Sequence, residues 1–244
     1  MRKFLLLMIS ILLVCLFSSA VPLHSQQPKP DTYNEVATPV IEDELTPQQR
    51  EHSKLYPKEG EKKIRDVLIK QSEYVSFTIS CFAFSLEPLP PLEVELTEKA
   101  DAVVIVTFVS KSSQITTNGT NIFTDYELRV EEAIKDGAGT LKPETTITVT
   151  RPGGKVLLFG KIARTSLSAF KPLEPGRRYL LFLKYLPSTG AYEAVDAYSS
   201  FDITDTRVES LCENMTRGFE RDLAPFITSV RQAAASDPKK GGAQ

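Results

Sequence analysis

A Pro175-Gly176 pair leads into a run of large apolar and aromatic residues, Tyr-Leu-Leu-Phe-Leu-Lys-Tyr, at positions 179–185. A short apolar run that follows a Pro-Gly turn is typical of a heavily buried β-strand. Such a strand needs covering elements on both of its faces. The stretch therefore predicts the centre of a compact β domain.

Strand patterns lie on both sides of this stretch. Residues 102–109 are almost continuously apolar and β-branched, and residues 123–134 alternate apolar with charged side chains. Further strand patterns cover residues 145–151, 155–159 and 192–203. No convincing crossover helix separates these strands, which disfavours a parallel α/β sheet. Short strands with polar turns predict a closed or nearly closed antiparallel barrel or sandwich.

Short helices are predicted before this β domain. Thr46 is a candidate N-cap, Pro47 suits the first helical position, and Gln49 completes a capping box. A second helical pattern over residues 61–71 places Ile64, among others, on an apolar face.

A C-terminal helix is predicted to pack on the β domain. Apolar residues recur at helical spacing after Ile203, at Val208, Leu211, Cys212, Met215 and Phe219. Thr206 and Glu209 match a capping box for this helix. Pro225 either kinks the helix or starts a second one whose inner face carries Phe226, Ile227 and Val230.

The first residues have the pattern of a secretory signal peptide. Arg2 and Lys3 precede an apolar run that ends before Ser18-Ser19-Ala20. The run is shorter than the roughly 20 residues of a membrane span, so we expect export to the periplasm or the exterior after cleavage. An uncleaved N-terminal anchor is the alternative.

The chain is expected to divide into six parts. They are a signal peptide (1–20), a disordered leader (21–46), an N-terminal helical or extended segment (47–96), a β-barrel domain (97–204), a C-terminal helical segment (205–235) and a flexible tail (236–244).

Charge argues against two classes of partner. Loss of residues 1–20 removes two of the 29 basic residues and none of the 31 acidic ones, so the mature chain is mildly acidic. Nucleic acids and anionic membranes call for a clustered basic face. We therefore expect no nucleic-acid partner and no stable membrane insertion after signal cleavage.

Cys81 and Cys212 are the two cysteines of the mature chain. In an oxidising compartment such a pair is a candidate disulfide. Two unrelated buried thiols are the alternative.

Several motifs occur together in a recognisable order. They are Ala-Asp-Ala-Val-Val at 100–104, Phe-Thr-Asp-Tyr-Glu-Leu-Arg-Val-Glu-Glu at 123–132, Lys135, Thr-Val-Thr-Arg-Pro-Gly-Gly at 148–154, and Phe-x-Pro-x-x-Pro-Gly-x-x-Tyr-Leu-Leu-Phe-Leu at 170–183. Over residues 97–203 the chain resembles a set of uncharacterised exported bacterial proteins with a single OB-like or netrin-like barrel. The resemblance implies a small OB-like barrel and supplies no catalytic residue.

Arg151, Gly153 and Gly154 form a candidate binding loop. Turn chemistry accounts for the same residue types, because glycine permits backbone conformations that other residues avoid. The structural interpretation is favoured, and ligand binding is the alternative.

No catalytic constellation, metal site or cofactor motif is predicted. His24 lies near the expected cleavage point, and His52 lies in a charged helical stretch outside the barrel. The two cysteines and two histidines lack the spacing of metal ligands. Glu127 and Glu131 fall on the wet face of a strand, where carboxylates are normally solvated.

Three functions remain. The preferred one is an exported, non-catalytic binding module for a protein, peptide or glycan of the cell envelope or exterior. The resemblance to netrin-like barrels implies a second, a protease inhibitor or protease-associated factor, although the chain lacks the N-terminal cysteine that such inhibitors use. The third is a small carboxylate-dependent hydrolase that uses Glu127 and Glu131.

Overall fold

A computed structural model describes residues 37–39, 45–56, 62–70, 74–79, 92–167, 171–212 and 220–236. All of them belong to one compact unit, Val36–Gln244. The predicted signal peptide, most of the predicted leader, Cys81 and residues 237–244 lie outside the described residues.

Strands dominate the described residues, which confirms a mainly β chain. The strands are β1 (Thr38–Pro39), β2 (Tyr74–Ile79), β3 (Ala102–Ile115), β4 (Ile122–Asp136), β5 (Thr146–Pro152), β6 (Gly154–Leu158), β7 (Lys161–Leu167), β8 (Arg178–Leu186), β9 (Ala191–Ala194), β10 (Ser200–Ile203), β11 (Arg207–Ser210) and β12 (Glu220–Asp222). The helices are α1 (Pro47–Ser53), α2 (Ile64–Lys70), α3 (Leu92–Lys99) and α4 (Leu223–Ser236).

The larger sheet forms a partial ring. Its strand order is β12-β11-β10-β8-β3-β4-β5-β9, and β8 also pairs with β9. Within the ring only the β5–β9 pairing is parallel. The expectation of purely antiparallel pairing is wrong there. Three antiparallel pairings separate β8 from β5, so these two strands run in opposite directions. Because β9 turns back from β8 in a tight hairpin, it runs in the same direction as β5.

Side chains from all five ring strands pack inside the ring. Val104, Leu128, Val149, Leu181 and Tyr192 each belong to one buried cluster and come from β3, β4, β5, β8 and β9 respectively. Register shifts interrupt the β3–β4 pairing at three places. Such irregularities bend and twist strands, which helps the sheet to curve around this cluster.

Two helices contribute to a second buried cluster, on the outer side of β3 and β8. Leu96 of α3 packs in it with Phe226, Ile227 and Val230 of α4. Pro225 lies in the first turn of α4, where its missing N–H leaves no helical bond unmade. The alternative in which Pro225 belongs to the start of a helix is confirmed.

The predicted helix after Thr206 is wrong at residues 207–210, and Met215 and Phe219, which the same prediction included, lie outside the described residues. The chain there forms β11, in which Arg207 and Glu209 are exposed while Val208 and Ser210 are buried. This strand pairs with β10 and so supplies hydrogen bonds to an edge that would otherwise be unpaired. A few apolar residues at helical spacing could not reveal that tertiary demand.

A smaller sheet has the order β1-β6-β7-β2. Its two central strands, β6 and β7, pair antiparallel with each other. At the edges, β1 pairs in parallel with β6, and β2 pairs in parallel with β7. Ile64 and Leu68 of α2 are buried with Val156 and Leu158 of β6. In the part of the chain that the structure describes, no helix has both the length and the hydropathy needed to cross a bilayer.

Candidate functional site

The candidate binding loop forms a buried corner between β5 and β6. Arg151 is only 2% exposed, and its Nη1 donates a hydrogen bond to the Lys171 carbonyl at 3.1 Å. Burial lowers the pKa of this guanidinium. Gly153 and Gly154 have φ values of +92° and +143°. These contacts give the loop a structural role, and ligand binding by it stays a prediction.

The two carboxylates proposed for a hydrolase take part in strand contacts. Glu127 accepts a hydrogen bond from the Thr148 hydroxyl at 2.8 Å, across the β4–β5 pair. Glu131 accepts from the Arg178 guanidinium, also at 2.8 Å. They point to separate partners rather than to a shared reaction centre.

The predicted disulfide stays a prediction. Cys212 is buried, with 2% of its surface exposed. Cys81 lies outside the described residues.

His52 has a different position from the one predicted. Rather than lying apart from the β domain, its side chain is completely buried. Its Nδ1 lies 2.9 Å from Oδ1 of Asp125 on β4, and its Nε2 lies 3.0 Å from Oγ1 of Thr189 in the β8–β9 turn. Because a carboxylate only accepts hydrogen bonds, Nδ1 carries a proton and donates to Asp125, and Nε2 forms the second hydrogen bond with the Thr189 hydroxyl, which can either donate or accept.

His52 belongs to a segment that we call the docked segment, residues 45–56. Its helix α1 starts with the predicted capping box, because Thr46 Oγ1 accepts from the Gln49 N–H while the Gln49 side chain accepts from the Thr46 N–H. The last turn of α1 directs His52 and Ser53 towards the ring. Both side chains are buried.

Three more contacts hold the docked segment. The Ser53 and Thr117 hydroxyls lie 3.1 Å apart, and Asn121 Nδ2 donates to the Tyr56 carbonyl at 3.1 Å. The Tyr56 ring stacks on Phe123 with 6.3 Å between centroids. The segment therefore touches β4, the β3–β4 turn and the β8–β9 turn.

We call the surface beneath it the docking face. It consists of the outer side of β4 and β5 at Phe123, Asp125 and Thr150, together with the turns at residues 116–121 and 187–190. Strand pairing places Asp125 opposite Thr150 and Phe123 opposite Pro152.

Electrostatics on the docking face favour a neutral Tyr56. Burial raises the pKa of the Tyr56 phenol well above its ordinary value, and the carboxylates of Glu193 and Asp125 raise it further. An ionised phenol at this position would lose hydration and face two negative charges.

Alkaline pH is therefore expected to loosen the docked segment. The raised pKa of Tyr56 contributes stability that is complete below about pH 10, the ordinary tyrosine value, and is lost as the pH rises above it. The free energy of unfolding of wild-type protein should fall more steeply between pH 9 and 11 than that of Tyr56→Phe. Urea unfolding of both proteins across this range measures the two slopes. The other buried tyrosines are present in both proteins, so their effects cancel when one slope is subtracted from the other. Equal slopes would contradict the burial of Tyr56.

The chemistry available at this place is hydrogen bonding and ring stacking, with the His52 imidazole held between a carboxylate and a hydroxyl. Within the described ranges, no group of three or more His, Cys, Asp or Glu residues is arranged to hold a metal ion.

Sequence reasoning missed this site because its residues are polar and distant along the chain. His52 is separated by 73 positions from Asp125 and by 137 from Thr189. The capping box of Thr46 and Gln49 was the available signal, but it locates the start of α1 and does not indicate what the helix packs against.

Comparison with models of known protein families and with curated proteins finds no match to this chain.

Proposed function

We propose that this protein is an exported, non-catalytic binding module built on an OB-like barrel. We number the five ring strands in chain order, so that β3 is the first, β4 the second, β5 the third, β8 the fourth and β9 the fifth. Around the ring their order is first, second, third, fifth, fourth. This order and the parallel third–fifth pair resemble the five-stranded Greek-key barrel of OB domains. Export rests on the signal-peptide pattern of residues 1–20.

The observation that carries the proposal is the contrast between the inside and the outside of the ring. The inside is packed with the barrel's own apolar side chains. Polar and aromatic groups instead converge outside, on the docking face. OB barrels bind ligands on their second and third strands and on the loops between strands one and two and between strands four and five. These parts correspond to β4, β5 and the turns at 116–121 and 187–190.

The chemistry of this face favours a polypeptide ligand. Asp125 on this face, together with Glu127 and Glu193 beside it, makes its surroundings acidic, which repels a phosphate backbone and attracts basic groups. Phe123, on which Tyr56 now stacks, offers its ring to a ligand that takes the place of Tyr56. The proposed partner is a polypeptide of the cell envelope or exterior with exposed aromatic and basic side chains.

Panning a phage-displayed library of random peptides against the immobilised protein tests this function. We expect enrichment of peptides that combine an aromatic with a basic residue. Glu127→Lys, on the open part of the β4–β5 face, should weaken the affinity of the enriched peptide by about 10-fold or more because it reverses a charge. Fluorescence anisotropy with the synthetic peptide measures this change.

Glu209→Lys is the matched control, since it makes the same charge change at an exposed position on β11. Its affinity should equal that of wild type. Failure to enrich any peptide, or equal binding by Glu127→Lys, would reject the polypeptide module. A glycan array run in parallel shows whether a sugar binds instead.

A second candidate, acyl transfer by Thr189, is favoured by one observation. Asp125, His52 and Thr189 form a hydrogen-bonded series of orienting group, base and hydroxyl, with contacts of 2.9 and 3.0 Å. In an ester hydrolase the Thr189 oxygen would attack the carbonyl carbon while His52 Nε2 takes its proton. His52 would return that proton to the departing alcohol, and water would then release the acyl group. The complete burial of His52 makes attachment of the docked segment the better explanation.

Hydrolysis of p-nitrophenyl acetate separates the two explanations. For an attachment role, wild type, Thr189→Val and Thr189→Ser should all hydrolyse the ester at the same background rate. For a hydrolase, Thr189→Val should lose about 1000-fold or more in rate while Thr189→Ser retains activity through its own hydroxyl.

A further inference from the structure

We propose that the docked segment is a ligand in cis, which occupies the docking face and must be displaced before a partner polypeptide binds. This inference rests on the proposed binding function and adds a mode of regulation to it. Its occupant is a named part of the chain, residues 45–56, and its competitor is a polypeptide.

The first support is the completeness of the contact. The segment reaches β4 through His52, the β8–β9 turn through the same side chain, and the β3–β4 turn through Ser53 and Tyr56. These are the elements by which an OB-like barrel would hold an external ligand. A partner using the same elements would meet the docked segment first.

The second support is the way in which the segment is attached. The three buried apolar clusters, as formed by the described residues, contain no residue from positions 45–56. Attachment relies on hydrogen bonds and on the Tyr56–Phe123 stack. Departure of the segment would expose polar groups that water can hydrate and the ring of Phe123, and it would leave the three apolar clusters closed.

The third support is the chemistry that the segment presents to the face. It places an imidazole N–H on Asp125 and an aromatic ring on Phe123. A partner with an aromatic and a basic side chain at a similar separation would satisfy the same groups. Because the segment is tethered, its effective concentration is about millimolar, and a free ligand must compete against that concentration.

A synthetic fluorescent peptide with the sequence of residues 45–56 tests the inference. It would be titrated into full-length wild type, Tyr56→Ala and the double variant His52→Ala/Tyr56→Ala. We expect the double variant to bind the peptide about 10-fold or more tightly than wild type, with Tyr56→Ala between them, because the tethered competitor is weakened. Adding Asp125→Ala to the double variant should remove most of this binding.

Arg50→Ala is the matched control, because Arg50 lies on the exposed side of the same helix. It should bind the peptide as weakly as wild type does. Circular dichroism and the unfolding transition establish that each variant is folded, and Tyr56→Ala provides the milder change if the double variant is not. Equal peptide affinity in all variants, or no binding by any of them, would overturn the inference.

Peptides from the library separate this inference from the proposed function. If an enriched peptide binds wild type and the double variant with the same affinity on the docking face, occupancy in cis is wrong and the binding function stands. If no library peptide binds any variant, while the peptide of residues 45–56 binds the double variant, the binding function fails and occupancy stands.

Discussion

Replacing Gly154 with alanine is expected to lower the free energy of unfolding by about 3 kcal/mol or more, through steric overlap added to backbone strain. A Cβ atom at this position would lie 2.3 Å from Thr124 Oγ1 and 2.7 Å from Ser113 Oγ. These two hydroxyls hydrogen-bond to each other at 2.8 Å, and Thr124 also donates to the Gly153 carbonyl at 2.7 Å. Neither hydroxyl can move away without breaking a buried hydrogen bond.

Gly160→Ala is the matched control for this prediction, and urea unfolding is the measurement. Gly160 also has a positive φ, of +69°, but nothing lies within 4 Å of a Cβ placed there. It should lose only about 1 kcal/mol, from backbone strain. Equal losses for the two variants would show that the corner between the ring and the smaller sheet is not closely packed.

Replacing His52 with alanine is expected to lower the free energy of unfolding by about 2–3 kcal/mol. The change leaves the Asp125 carboxylate, only 8% exposed, without its imidazole donor. A buried acceptor left without its donor costs about 1–3 kcal/mol, and more when the acceptor is charged and stays buried. The loss should be smaller here, because departure of the docked segment returns Asp125 to water.

A double-mutant cycle with Asp125→Ala tests this explanation. Once His52 has been replaced, Asp125→Ala should cost little more, because the contact is already absent. Arg50→Ala should stay within about 0.5 kcal/mol of wild type, as expected for an exposed position. Fully additive losses from His52→Ala and Asp125→Ala would mean that the two side chains are not in contact in solution.

Much of the β structure could be predicted because burial leaves a local pattern. The apolar run at positions 179–185 is the centre of β8, and the alternation at 123–134 lies within β4. Thr46 and Gln49 identified the start of α1 because a capping box involves side chains only three positions apart. In each case the responsible interactions are either local or follow from apolar periodicity.

The missed elements depend on partners far along the chain. Residues 92–99 form α3, which was not singled out as a helix within the predicted helical or extended segment 47–96, and Leu96 is buried there against α4. Residues 161–167 form β7 through pairing with β6 and β2, although few of its side chains are apolar. Residues 207–210 form β11 because β10 needs a neighbour. Pairing and packing overrode weak local patterns in all three.

The pattern of apolar residues and the residue types at turns were thus sufficient to predict a β domain with short helices. Buried apolar residues recur along the chain with the period of each helix or strand. The contacts of His52 with Asp125 and Thr189, and of Tyr56 with Phe123, depend on how the strands curve and where the turns lie. Hydrogen bonds are directional and short-ranged, and polar residues carry no periodic signal of their distant partners. The candidate site therefore emerges only when the ring brings these residues together.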